Sequence, residues 1–281
     1  MELKDDLGNR MKNFYESVPK TYLMRRCPVI IRIDGKNFHT FTKGLHKPFD
    51  TILVQSVHST MKYLCEHIQG CICGYTQSDE ITLVLIDYQN LNTSAWFDYN
   101  VQKICSISAS MATMAFNKVF RELVEREEYL WDQTNSISFS DVTTYRQHRQ
   151  YMQLLYKAVN NGAMFDARCF NIPKEEVANM LYWRQLDAIR NSIQSCGQAH
   201  FSAKQLQGLS CIDIKKKLKE IGSPWEDETI CNQRGSFCKR RKNEQEMSVP
   251  FECSESLWEI DIKMPILKDD WNYVNQYIFI D

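Results

Sequence analysis

The 281-residue chain has no apolar run near the ~20 residues that cross a bilayer. Its opening stretch, MELKDDLGNRMKNFYE, alternates acid and base and holds none of the oily core of an export signal. The expectation is a cytoplasmic protein with no membrane partner. Eleven cysteines are present, yet none forms a Cys-x-x-Cys pair, and they are scattered over a long chain. That excludes a small disulfide-stapled fold and reads as reduced thiols. Cys71 and Cys73 are the closest pair, and Cys65 and His67 nearby do not complete a zinc-binding spacing. A net charge of −1 leaves only local patches to attract a polyanion. The candidates are Arg25-Arg26, Lys215 to Lys217, and Lys239 to Lys242, each of which reads first as a solvated face. Internal repeats and low-complexity linkers are absent.

What is present suffices for a large core: 43% of residues are hydrophobic and 25% charged, which suits one large domain or one and a half. Val29, Ile30, Ile31 and Ile33 predict a central strand that stops at Asp34-Gly35. Leu53, Val57, Met61, Leu64 and Ile68 fall on one stripe and predict a helix over 50–69, with Asp50 as its cap and Gly70 beyond its end. The run CICGYTQSDEITLVLID predicts a hairpin turning at Gln77 to Glu80. A helix is expected from about 98 to 125, polar irregular chain over 131–140, and a helix near 143–160. A strand ending at Pro173 follows, then a helix capped by Gly197. Shorter helical pieces are expected over 202–207 and 213–221. This order suits an α+β fold: a ferredoxin-like, polymerase-palm-like antiparallel sheet with helices packed on one face, plus a helical C-terminal part. The core would span 1–173, and 174–281 would be an extension packed on it within one continuous domain.

Asp34-Gly35 has two readings. Asp-Gly is a strong turn dipeptide, because glycine takes positive φ freely and aspartate bonds its own following backbone. A carboxylate at a buried strand's end can also hold a cation and the phosphates that it carries. Asp79 and Glu80 at the hairpin tip supply the second acid, since in a β-α-β-β unit the first strand's end can lie beside that tip. Carboxylates so placed raise one another's pKa unless a divalent cation sits between them. Acids in tight turns are also common without any site.

The segments IRIDGKNFHTFTKGLHKPFD, GYTQSDEITLVL, QKICSISAS, FDARCFNIP and WRQLDAIRNS, in this order, resemble the tRNA-histidine guanylyltransferase family, including its guanylyltransferase-like branch, over roughly residues 5 to 240. The resemblance implies a nucleotidyltransferase that extends tRNA in the 3′-5′ direction, with ATP, GTP or other nucleoside triphosphates as substrates. It implies two Mg²⁺ ions on Asp34, Asp79 and the Gly35 carbonyl, with Glu80 as the adjoining acid. Lys36, Asn37, Phe38 and His39 match the triphosphate loop. Lys47, Ser78 and Lys103 match polar positions around the phosphates, though each also reads as an ordinary surface residue. Arg168, Asn191 and Arg234 match contacts to RNA or to the activated end. Assembly as a homotetramer or another homo-oligomer is implied in the same way.

The chain departs from the family where members specific for histidine tRNA resemble one another in a His-Ile-Asn-Asn run. Here the residues are Ile189, Arg190, Asn191 and Ser192, so Asn191 alone remains. That favours template-dependent repair of 5′-truncated tRNA over addition of G to histidine tRNA. A lysine expected further on is replaced by Ile214, with Lys215 next to it. Paired acids on such sheets also serve nucleotide cyclases, but the hairpin has no Gly-Gly-acid run. A non-catalytic RNA-binding module is the remaining alternative, and it would be expected to have lost Asp34, Asp79 or Glu80.

Overall fold

The computed structural model describes residues 6–135, 142–241 and 257–280. Six strands form one sheet: β1 (Val29–Gly35), β2 (Cys71–Gln77), β3 (Glu80–Leu85), β4 (Phe165–Asn171), β5 (Ser236–Arg240) and β6 (Trp258–Asp261). Their order is β4-β1-β3-β2-β5-β6, and every neighbouring pair is antiparallel. The longer helices are α1 (Thr51–His67), α2 (Val101–Asn135), α3 (Val142–Asn161), α4 (Lys174–His200), α5 (Cys211–Glu220) and α6 (Asn272–Ile278).

The apolar run of β1 is continuous because both sides of the strand are buried. Val29, Ile31 and Ile33 join Ile81, Leu83 and Leu85 of β3 in a core closed by Met61, Leu64, Phe116, Phe120 and Leu155 of α1, α2 and α3. Ile30 and Val84 face the other way, into a second core with Tyr75, Val177, Leu181, Val274 and Ile278. The first three helices therefore share one face, as expected. The extension places α4 and α6 on the opposite face, and it also adds β5 and β6 to the sheet. These two short strands are absent from the expected pattern because Lys239, Arg240, Glu259 and Asp261 break the apolar signal.

Three boundaries differ from expectation. Helix α2 continues through Trp131 to Asn135, where irregular chain was expected, and residues 136–140 lie outside the described segments. A ring stack of Trp131 on His148 of α3, 3.7 Å between centroids, ties this polar turn to a partner helix. Helix α4 runs past Gly197 to His200. A Cβ at Gly197 would come within 2.9 Å of the Ile214 side chain, so this glycine lets α5 approach α4 and does not end the helix. Helix α5 starts at Cys211 rather than Asp213, since Ser210 and Asp213 form a reciprocal capping box. Asp50 does cap α1, accepting from the Leu53 amide at 3.2 Å.

Among the described residues no helix is long and apolar enough to cross a membrane. The ten described cysteines are all free thiols. The basic clusters are largely tied within the chain. Arg25 pairs with Asp87 at 2.9 Å, and Arg26 donates to the carbonyls of Asp87, Asn90 and Leu91. Lys215 pairs with Glu226 at 2.7 Å, and Lys239 with Asp261 at 3.0 Å. Lys242 lies outside the described residues.

Candidate active site

Side chains alternate along a strand, so Arg32 and Asp34 of β1 share the face covered by α4. The register that sets Ile33 opposite Ile81 brings Asp34 level with Glu80. On the other side of β1, Arg168 lies opposite Arg32 and Asp166 opposite Asp34. The hairpin between β2 and β3 turns on Ser78 and Asp79 alone, with Ser78 in the left-handed region at φ 52°. This tight turn folds Asp79 onto Gly35. A Cβ on Gly35 would lie 2.8 Å from Asp79 Oδ2 and 2.2 Å from Phe38 Cδ2. Space, not a positive φ, is therefore what demands glycine here. The left-handed residue of the loop after β1 is Asn37, at φ 53°.

Burial raises the Asp79 carboxyl above the ordinary carboxylate range, and the nearby charges of Asp34 and Glu80 push the same way. A hydrogen bond of 2.9 Å from the Ser78 hydroxyl partly offsets this. Glu80 behaves differently. One of its oxygens accepts from Arg32 at 3.0 Å, and the other accepts from Arg184 of α4 at 2.7 Å. Both oxygens are engaged, so Glu80 fixes the hairpin to α4 and leaves Asp34 and Asp79 as the acids open to a ligand. Sequence reasoning did not single out Arg32 or Arg184. The available signal was a lone charge inside the otherwise oily strand VIIRI.

These acids open onto a cleft of about 590 Å³, a size that accommodates a nucleotide. Asp34, Ser78, Asp79, Glu80, Lys47 and Asn191 all line it. The segment carrying Lys47 is anchored by buried Asp50, which accepts from the His46 amide at 3.1 Å and the Tyr151 hydroxyl at 2.8 Å. Lys36, Asn37 and His39 are exposed in the loop after Gly35. The Lys36 amide is already taken by the Met164 carbonyl at 2.8 Å. Phe38 is buried, its ring 5.5 Å from those of Phe116 and Phe165, so it anchors the loop in the core. Arg168 is exposed, with its guanidinium 3.9 Å from Asp34.

Lys103 and Arg234, like Gly35, the loop from Lys36 to His39 and Arg168, are not among the residues that line this cleft. Lys103 is near the start of α2, beside Phe97. It is Thr113, ten residues further along and roughly 15 Å away at helical rise, that reaches Phe165 opposite Gly35. Arg234 donates to the Met264 carbonyl at 3.0 Å, and its own carbonyl accepts from Tyr75 at 2.8 Å, which makes it a tie between β2 and the C-terminal segment. Ile214 is fully buried against α4.

No group of three or more His, Cys, Asp or Glu side chains able to hold a metal occurs among the described residues. Mg²⁺ does not require one, since it binds through one or two carboxylates together with substrate phosphates. The donor set of Asp34, Asp79 and the Gly35 carbonyl, all oxygen and with Asp79 poorly solvated, fits such an ion.

An antiparallel palm-like sheet with paired acids where a strand end meets a hairpin tip suits phosphoryl transfer from a nucleotide, and the family the chain matches makes it a nucleotidyltransferase. Residues 8–173 match the family model of tRNAHis guanylyltransferase (Thg1). A bacterial tRNA(His) guanylyltransferase (Thg1)-like protein solved in complex with ATP is 36% identical, with a TM-score of 0.78, covering 98% of this chain and 100% of that one. Its complex with GTP gives a TM-score of 0.74 at 35% identity, over the same shares of both chains. An uncharacterized protein of Acanthamoeba polyphaga mimivirus is 28% identical over 85% of this chain and 78% of its own. The tRNA(His) guanylyltransferase of Kluyveromyces lactis is 26% identical over 63% of this chain and 60% of its own. The chain belongs to the tRNAHis guanylyltransferase (Thg1) family.

Proposed function

We propose that this protein adds nucleotides in the 3′-5′ direction to the 5′ ends of truncated tRNA, matching each to the opposing strand. The observation that carries the reading is the pair Asp34 and Asp79, set over Gly35 at the mouth of a nucleotide-sized cleft. In this scheme the 5′ end is activated by adenylylation from ATP, or already carries a triphosphate. The 3′-hydroxyl of the incoming nucleotide then attacks that 5′ phosphorus, and AMP or pyrophosphate leaves.

Asp34, Asp79 and the Gly35 carbonyl would hold Mg²⁺. When bound, the ions supply the acidification of the hydroxyl and the neutralisation of the leaving phosphate that two-metal sites provide. Lys47 offers positive charge on the cleft's rim, and Ser78 and Asn191 offer polar contacts beside it. Exposed Arg168, which pairs with Asp34 and Asp166, would turn to a phosphate of the RNA end. Glu80, through Arg32 and Arg184, holds the hairpin that carries Asp79. The loss of the His-Ile-Asn-Asn run at 189–192 supports truncated tRNA as substrate over intact histidine tRNA. The same reading includes a cytoplasmic homotetramer or other homo-oligomer, with residues 1–173 as the catalytic core.

The test is nucleotide addition to a tRNA that lacks its first 5′ nucleotide, with ATP and Mg²⁺ present. Asp34→Ala and Asp79→Ala should each abolish addition while the fold persists. Retained addition by either variant would contradict the site.

A further inference from the structure

His58 stands on α1 beside the apolar Val54 and Val57, and with them lines the cleft that the acids open onto. Among the described residues no hydrogen-bond partner meets its ring, and neither ring nitrogen is sealed from solvent. Burial alone lowers its pKa, with no neighbouring charge contributing. The ring therefore stays neutral, with one nitrogen to donate and one to accept, and no existing bond decides which is which. Asp79, by contrast, feels the charges of both Asp34 and Glu80.

The cleft thus has a charged part around Asp34 and Asp79 and an uncharged part around His58. A nucleoside triphosphate is divided in the same way, with its charge at one end and its base at the other. Phosphates that share a cation with the acids would leave the base to the part where His58 stands. A volume of about 590 Å³ accommodates one nucleotide, so a base seated there does not pair at the same time with an opposing RNA strand. The incoming nucleotide is matched to that strand, whereas the ATP that activates the 5′ end is not. Lys36, Asn37 and His39 are exposed outside the cleft and leave open surface beside the acids for the RNA end and the nucleotide paired on it.

We propose that His58 holds the base of the activating ATP through one hydrogen bond from its ring to the edge of the adenine. This rests on the reading that a tRNA 5′ end is activated by ATP before it is extended.

The first arm of the test measures binding to the full chain by calorimetry, with Mg²⁺ present and no RNA. The probes are ATP and inorganic tripolyphosphate, which carries the charge without the base. His58→Leu should weaken ATP roughly twofold to tenfold, the worth of one neutral hydrogen bond, and leave tripolyphosphate unmoved. His58→Gln, whose amide both donates and accepts, should keep part of the ATP affinity. Because the two probes are compared within each variant, a small loss of stability does not imitate the effect.

The second arm uses truncated tRNA with a 5′-monophosphate, which needs activation, and with a 5′-triphosphate, which does not. His58→Leu should raise the KM for ATP on the first by the factor seen in binding, and the KM for the incoming nucleotide on the second should match the wild type. An ATP-to-tripolyphosphate ratio that His58→Leu leaves unchanged overturns the contact. A raised KM for the incoming nucleotide on the 5′-triphosphate tRNA overturns the assignment to ATP. A wild type that binds ATP yet extends neither tRNA overturns the tRNA reading, and the activating role with it.

Discussion

Glu80 and Arg184, 104 residues apart in sequence, meet at 2.7 Å between the hairpin tip and α4. Only 4% of the Arg184 side chain and 11% of the Glu80 side chain are exposed. The partners are not equivalent, because Glu80 also has Arg32 whereas Arg184 otherwise has Asp187. Removing one member of a buried pair costs about 3 to 5 kcal/mol when its partner is left uncompensated. Glu80→Ala, which leaves two cations facing each other, should fall in that range. Arg184→Met should cost less, since Arg32 still satisfies the carboxylate. Urea unfolding of both variants checks the order, and the reverse order would contradict the clamp.

Gly35→Ala should be damaging through space alone. The added methyl would overlap the Phe38 ring and press on Asp79. Overpacking of this kind costs about 1 to 3 kcal/mol, and displacing Asp79 should lower nucleotide addition by at least about a hundredfold, as ångström-scale misplacement does. Activity and unfolding measured together separate the two effects. Normal activity in a folded Gly35→Ala protein would refute the contact.

His58, on α1 beside the cleft, is held by burial at a pKa of about 4, below the ordinary 6.5. Between these values the unfolded chain binds a proton that the folded chain refuses. Stability from this residue is therefore full above pH 6.5 and is lost as pH falls toward 4. The slope is at most about 1.4 kcal/mol per pH unit. His58→Leu should flatten this part of the stability curve between pH 7 and pH 5. An unchanged pH dependence would show that the imidazole stays solvated.

Gly197→Ala should destabilise although alanine is the better helix former. Its methyl would meet Ile214 at 2.9 Å and push α5 from α4. A raised midpoint of thermal unfolding would instead mean that the two helices adjust freely.

The contrast at Gly197 shows where the sequence is readable. Strand β1, helix α1 and the hairpin were legible because their signals are local: an oily run, a helical stripe ending in Gly70, and a polar break at 77–80. The approach of Asp79 to Gly35 followed from the order of these elements. Gly197 looked like a helix end because nothing nearby in sequence reveals that Ile214 packs against it. The positions of Lys103 and Arg234 were hidden for the same reason, since motif likeness carries no distance. That Arg32 and Arg184, far away in sequence, take both oxygens of Glu80 was hidden in the same way.

The most direct measurement of the central claim gives the protein Mg²⁺, ATP and all four nucleoside triphosphates. A tRNA missing its first 5′ nucleotide and an intact histidine tRNA are supplied in parallel, with Asp79→Ala as the control. The account predicts preferential, template-matched extension of the truncated tRNA and none by the control. Addition of G to histidine tRNA alone would contradict the repair reading, and addition to neither would contradict the polymerase itself.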